Sequence, residues 1–375
     1  MNILVTGARG FIGRNLMETL SYERPQDTVF GADVDTSREE WLNAVHSADF
    51  VFHLAGINRP QDPAEFMTGN RDLTVDLLEE LKKGKCPPVL LSGSAQAALD
   101  NPYGQSKLAA ERAVLQYGEE TGAPVYAYRL NNAFGKWSRP NYNSAVATFC
   151  YNIARGLPIQ VNNPDAPLYL CYVDDIIAEW LNALEGNPTW DGDLCKARPV
   201  YALTVGQLAD TLKEFHKMRD ELACPDQSNS LICKLYATYL SFLPPEDLMR
   251  PTVVHADHRG SFTELLHLAG HGQVSVNISK PHITKGEHWH HTKHEKFIVV
   301  SGEGVIRFRK AGEKEVISYP VSGNQPQVVD IPPGYTHNIE NTGDQDMITI
   351  MWANECFDPT RPDTCRLPVD PEKEV

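Results

Sequence analysis

Two groups of residues carry chemistry by their type and spacing. Near the start, Gly7, Gly10 and Gly13 recur every third residue straight after the apolar run 3–6. Glycines so placed let backbone N–H groups close on a pyrophosphate at the start of a helix. Further on, Tyr103 and Lys107 stand one helical turn apart and so share a helix face. An ammonium beside a phenol draws its pKa down from about 10, and the phenol can then give a proton to a carbonyl that receives hydride. Ser94, just past the run 89–92, is placed to hydrogen-bond the same carbonyl oxygen, with Ser92 as its stand-in. Late in the chain, His288, His290, Glu295 and His337 offer three imidazoles and one carboxylate. That donor set suits zinc, and also iron, manganese or nickel. On a strand His288 and His290 face one way and His291 the other, which makes His291 the second choice; His294 adds a further imidazole.

The elements that must hold these residues follow from apolar periodicity. Runs at 3–6, 29–32, 50–55, 89–92 and 125–129 alternate with amphipathic stretches at 11–20, 41–46 and 102–120. This is the rhythm of a doubly wound α/β fold, a Rossmann-like parallel sheet covered on both faces. From 203 to about 240 the pattern stays helical, and prolines near 244–251 break it. Beyond lie short alternating runs between Gly, Pro and Asn turns, the texture of an antiparallel jelly-roll barrel. The reading is a nucleotide-binding domain over 1–247 and an all-β metal-binding domain over 248–375, with a loosely ordered tail after Asp358.

Bulk properties narrow the function. A chain of 375 residues accommodates two domains. Its 34 basic and 49 acidic residues give a net charge of −15, whose field repels nucleic acid. No apolar run approaches the roughly 18 residues that cross a bilayer, so no membrane contact is expected. The N-terminus enters a strand at once, without a leader pattern, and the eight cysteines lack C-x-x-C spacing. Both features point to a cytoplasmic protein. Exposed barrel strands point to a homodimer.

Cofactor choice stays open on residue type. Asp33 and Asp35, after the second strand, would accept the 2′-hydroxyl of NAD, whereas Arg9 in the glycine turn would attract the 2′-phosphate of NADP. Arg59, Arg129, Lys136 and Arg139 are candidate contacts for substrate phosphates. Asp174 and Asp175 are read as bracing the fold.

The first 245 residues resemble the extended short-chain dehydrogenase/reductase family. The likeness rests on the three glycines, His53-Leu-Ala-Gly56, Tyr103 and Lys107, Arg129-Leu-Asn-Asn132-Ala-Phe-Gly135 and Tyr172-Val-Asp-Asp175. It implies nucleotide-activated sugars as substrates. The cofactor would lie along Gly7, Arg9, Gly10, Phe11, Ile12, Gly13, Asp33, Leu54, Ala55, Tyr103 and Lys107. Ser94, Tyr103 and Lys107 would be catalytic, although the gap between Ser94 and Tyr103 is shorter than in many relatives. The later residues resemble the two cupin motifs, His288-x-His290-x4-Glu295-x6-Gly302 and Pro332-x-Gly334-x2-His337-x3-Asn341.

Together these halves resemble the bifunctional enzymes of capsular polysaccharide synthesis that fuse such a reductase to a C-terminal cupin. The likeness runs through 134–143, 259–264, 272–279 and 288–292. It implies a UDP-linked 4-keto-6-deoxy-N-acetylhexosamine as substrate and NADPH as reductant, with NADH the alternative. The cupin would epimerise C3 and the N-terminal domain would then reduce C4, giving UDP-N-acetyl-L-talosamine, a precursor of UDP-N-acetyl-L-fucosamine. Candidates for the C3 base are His290, His291, Lys285 and Glu264. The competing reading is a single-activity 4-keto-sugar reductase whose cupin serves dimerisation or sugar binding.

Overall fold

A computed structural model describes residues 1–220, 223–251, 254–257, 260–263, 267–268, 273–354 and 360–374. The chain forms two compact units, one of residues 1–144 and 167–203, the other of residues 145–166 and 204–375.

The first unit is the expected parallel sheet. Strands β1 (Asn2–Thr6), β2 (Thr28–Ala32), β3 (Phe50–His53), β4 (Val89–Ser94) and β5 (Val125–Leu130) align in the order β2-β1-β3-β4-β5, all parallel. Helices α1 (Phe11–Glu23), α2 (Arg38–Ser47), α3 (Leu73–Lys82) and α4 (Pro102–Thr121) connect them. The strands read as unbroken apolar runs because both faces are buried. Phe50 and Phe52 of β3 join a core with Leu16, Leu20 and Trp180, while Val51 between them joins Leu77, Leu81 and Tyr117 on the other face. The chain leaves β1 toward β2 on one side and reaches β3 on the other. The carboxyl ends of β1 and β3 therefore flank the switch point where ligands enter such sheets. Helix α4 starts sharply, since Asn101 accepts the Gly104 N–H at 2.8 Å with Pro102 in the first turn, and it stops at left-handed Gly122. A three-stranded sheet from 132–134, 167–172 and 201–204 was not anticipated.

The second unit holds two five-stranded sheets, with antiparallel pairing between the strands that carry the His and Glu cluster. Glu295–Ser301 lies between Gln327–Ile331 and Met347–Ala353, and Tyr335–Asn341 lies between Glu303–Lys310 and Thr284–Trp289. Helices Ala145–Ala154, Val205–Asp220 and Ser230–Ser241 belong to this unit as well. An ion triad ties the helix Val205–Asp220 to the barrel. Arg219 and Lys296 both pair with the carboxylate of Asp330, and the three side chains are 2%, 5% and 1% exposed. Burial alone would push Asp330 up, but the two cations hold it below the ordinary carboxylate value.

The tail departs from expectation. Rather than lying loose, residues 363–374 are fastened to the barrel: Cys365 and Arg366 pair with Trp289 and His288, and the buried Arg309 guanidinium donates to the carbonyls of Val369 and Pro368. A terminal segment is ordered when its backbone finds partners, whatever its composition.

Removing the shared anion would leave two buried cations uncompensated. Asp330→Ala should therefore destabilise the second unit by about 3–5 kcal/mol, read from denaturant unfolding. A change below about 1 kcal/mol would show that this triad does not hold the helix to the barrel.

Candidate functional site

The glycine turn is built for close approach. Gly7 has φ +68°, and a Cβ there would sit 2.9 Å from the Ala55 backbone. A Cβ on Gly13 would meet the Gly7 carbonyl oxygen at 2.1 Å, so the turn closes only with glycine at that position. Gly10 donates its N–H to Gly7 O at 3.0 Å and begins α1 with no side-chain cap, which leaves the first amides of the helix for an anion. Phe11 and Ile12 turn their side chains to the core. Asp33 accepts the N–H of Arg9 and of Val34, each at 2.9 Å, while the Arg9 guanidinium pairs with Asp35. The two opposing cofactor cues are thus tied to one another in this state.

A buried polar chain sets the wall opposite the turn. His53 places Nδ1 2.8 Å from Thr6 Oγ1 and Nε2 2.9 Å from Thr74 Oγ1. Thr74 already donates to Asn70 O, so His53 donates from Nε2 and accepts at Nδ1 from Thr6. Burial, then the charge of Lys107, lowers the His53 pKa to about 3, which keeps the ring neutral. Thr6 Oγ1 in turn accepts the N–H groups of Leu54 and Ala55, both at 3.2 Å. Asn70 continues the chain to Ile57 and to Ser106 Oγ. Thr6, Asn70 and Thr74 escaped the sequence reading, because a buried threonine or asparagine has no spacing signature of its own.

Tyr103, Lys107 and Ser94 lie near one another, with one departure from expectation. A short helical turn, Ala95–Ala98, takes up the brief gap and leaves the Ser94 hydroxyl, which accepts the Gln96 N–H at 3.2 Å, near enough to the Tyr103 phenol to draw its pKa down. Tyr103 itself donates to Asn58 Oδ1 at 3.0 Å. The phenol pKa is raised above 10, not lowered, because burial outweighs the influence of Ser94. Lys107 lies 5.9 Å from the centre of the Tyr103 ring and is only 8% exposed, and burial lowers its own pKa to about 8. Gly56 makes room for it, since a Cβ there would lie 2.9 Å from Nζ.

The candidate phosphate contacts divide. Arg129 forms a two-pronged pair with Glu111, both bonds 2.7 Å, and buried Lys136 pairs with Asp174 at 2.6 Å. Both cations are thus engaged by carboxylates, Asp174 among them. Arg59 and Arg139 lie over the Tyr142 ring, at 5.9 and 5.1 Å from its centre.

In the second unit, His288, His290, Glu295 and His337 present ligand atoms within 4.8 Å of one another. Strand pairing sets His288 against His337. The ladder is bulged beside them, where Gly286 and Glu287 take φ +110° and +61°. His290 lies one residue past the end of Thr284–Trp289, so strand alternation is not what aims it. His291 packs on Trp289, ring centres 4.5 Å apart, outside the cluster. Lys285 is exposed and donates to Asn277 and Ile278, and Glu264 lies outside the described residues. His294 is buried between Tyr236 and Trp352, with its ring nitrogens unpaired among the described residues.

The donor set fits a divalent ion. Burial pushes Glu295 up, but His290 and His337 hold it well below the carboxylate range, and burial with the neighbouring imidazoles lowers His288 to about 4. His337 Nε2 is buried, 3.5 Å from Glu295, without a hydrogen bond among the described residues. A fixed carboxylate beside neutral imidazoles is what zinc and its neighbours bind.

Comparison with known proteins gives a match for each half of the chain. Residues 3–189 match the NAD dependent epimerase/dehydratase family, which carries a nicotinamide cofactor, and residues 255–365 match the polysaccharide biosynthesis C-terminal domain. The chain is 44% identical over 365 residues to the UDP-2-acetamido-2,6-beta-L-arabino-hexul-4-ose reductase of Pseudomonas aeruginosa, spanning 97% of this chain and 98% of that one. It is similar to the capsular polysaccharide assembling protein CapF from Staphylococcus aureus, with TM-score 0.69 and 51% identity over 98% of this chain and 100% of that chain. A structure of CapF with the inhibitor 3-isopropenyl-tropolone gives TM-score 0.63 and 47% identity over the same shares. No described helix is long and apolar enough to cross a membrane.

Ion uptake should carry a signature of pH. Although burial opposes it, Glu295 raises the His290 pKa above 6.5, and that proton must leave before the imidazole can ligate. Zinc affinity should therefore fall as pH drops from about 8 to about 6, with proton release on binding that calorimetry in two buffers detects. Affinity independent of pH would contradict the assignment of His290.

Proposed function

We propose that this chain, which belongs to the CapF-type family of nucleotide-sugar enzymes, epimerises and then reduces one UDP-linked keto-sugar. The carrying observation is that a single chain holds Tyr103 near Lys107 and Ser94, and separately a buried cluster of three histidines and a glutamate. The substrate class follows from the related reductase, whose name denotes a UDP-linked 2-acetamido-hexul-4-ose. We take the substrate of this chain to be a UDP-4-keto-6-deoxy-N-acetylhexosamine and the product to be UDP-N-acetyl-L-talosamine. By motif, residues 1–247 carry reduction and residues 248–375 carry epimerisation.

The order follows from electronics. A ketone at C4 acidifies the hydrogen at C3, so a base can remove it if the enolate oxygen is stabilised. Reduction of C4 ends that acidity, and epimerisation comes first. In the second unit His288, His290, Glu295 and His337 would hold a divalent ion, with zinc the fit for this donor set. When bound, the ion supplies the positive charge that a developing enolate oxygen needs. The tropolone inhibitor of CapF supports this reading, because adjacent tropolone oxygens chelate divalent ions.

In the first unit Gly7, Gly10 and Gly13 would receive the dinucleotide, and the bound nicotinamide supplies hydride. Leu54 and Ala55, fixed through Thr6, form the wall beside it. We assign NADPH as the reductant, with Arg9 leaving Asp35 to meet the 2′-phosphate. Tyr103, neutral at working pH because its pKa is raised, gives its proton to the C4 oxygen. Ser94 donates to that oxygen, and Lys107 supplies charge that stabilises the phenolate left behind.

Two experiments test this division. In deuterated water without NADPH, the Tyr103→Phe protein should still label C3 of the keto-sugar but form no C4 alcohol when cofactor is added. The His337→Ala protein should lose labelling yet reduce a pre-epimerised ketone. Labelling that survives in His337→Ala would leave the C-terminal unit without a catalytic part. For reduction, kcat/KM reports the free enzyme and should fall as pH rises through about 8, where Lys107 loses its charge. Lys107→Met should be slow and should lack that limb; an unchanged limb would remove Lys107 from the proton chemistry.

A further inference from the structure

We infer that the C-terminal segment 363–374 is a clip that fixes the metal cluster, with Asp363 as its positioning residue. The inference rests on the reading of His288, His290, Glu295 and His337 as ligands. His290 lies beyond the end of its strand, and the turn that carries the chain on to Glu295 has no ladder of its own.

Asp363 supplies what that turn lacks. Its backbone carbonyl accepts the His290 Nδ1–H, which fixes the tautomer and leaves Nε2 directed at the cluster, 3.3 Å from Glu295 Oε2. Its carboxylate accepts the N–H of His291 at 2.8 Å, of Thr292 at 2.9 Å and of Lys293 at 2.7 Å, and the Thr292 hydroxyl at 3.0 Å. One anion therefore gathers three successive amides between two ligands. Asp363 takes φ +39° to do so, a conformation that a non-glycine residue keeps only where its surroundings enforce it.

The following residues hold Asp363 in place. Arg366 pairs with His288, opposite the side on which His337 pairs, so both strand-borne histidines are fixed from the same ladder. Leu367 donates its N–H to Glu287 O at 3.0 Å, and Val369 donates to Glu287 Oε2 at 2.6 Å. Arg309 closes the far end on Val369, Pro368 and Glu374. A carbonyl or carboxylate that orients a ligand imidazole tunes metal affinity without touching the metal, typically by about 10–100-fold.

The test uses the full-length protein with Asp363→Ala and Asp363→Asn, the latter keeping the size of the side chain should the former fail to fold. Zinc affinity is read by competition with a chromophoric chelator, and ligand geometry by the visible spectrum of the cobalt-substituted protein. Unfolding of the metal-free proteins controls for global damage. We expect zinc affinity to fall about 10–100-fold in Asp363→Ala and less in Asp363→Asn, with a shifted cobalt spectrum in both. Wild-type affinity and an unshifted spectrum in both variants would overturn the clip while leaving the metal site standing. Absence of zinc uptake by the wild-type protein would overturn the metal reading and the clip with it.

Discussion

A carboxylate enclosed in a barrel stays ionised while polar or charged partners lie against it, and Glu295 is such a carboxylate. Water would protonate or solvate it; here His290 and His337 do the work instead. The architecture of the second unit reads as the means of keeping those partners in place. Pairing of Thr284–Trp289 with Tyr335–Asn341 sets His288 beside His337, and the ordered tail sets His290. The next residue along the same strand points the other way. There Lys296 shares Asp330 with Arg219, so successive residues place opposite charges on the two faces of one strand, each compensated separately.

The first unit solves a related problem with opposite sign. Lys107 is a buried cation whose burial lowers its pKa to about 8, and it therefore sits at the edge of losing its proton. That poise suits a site that a dinucleotide and a keto-sugar enter and leave, because a permanent ion pair would hold the ammonium away from the phenol. Rigid polar groups surround it: neutral His53, Thr6, Thr74 and Asn70 fix the chain between Leu54 and Ile57 without adding charge.

Much of this was legible in the sequence because the chemistry imposes spacing. Three glycines at intervals of three, a tyrosine and lysine one turn apart, and two histidines with a glutamate and a distant histidine each report a local backbone geometry. The parallel and antiparallel sheets were legible through apolar period. Contacts that need no period were not. Thr6 and Thr74 meet His53 only through the fold, and Asp363 lies 73 positions from the histidine whose ring it orients. The raised phenol pKa of Tyr103 was missed for a similar reason: proximity to Lys107 is visible in sequence, whereas the depth of burial that outweighs it is not.

In the proposed function, proton exchange at C3 precedes reduction at C4 on the same sugar. A single-turnover time course in deuterated water, with enzyme in excess over a UDP-4-keto-6-deoxy-N-acetylhexosamine and NADPH added at time zero, tests it most directly. Label at C3 should appear in the ketone before any alcohol forms, and every molecule of alcohol should carry it. Alcohol that forms without label at C3, at the rate of cofactor oxidation, would contradict the account.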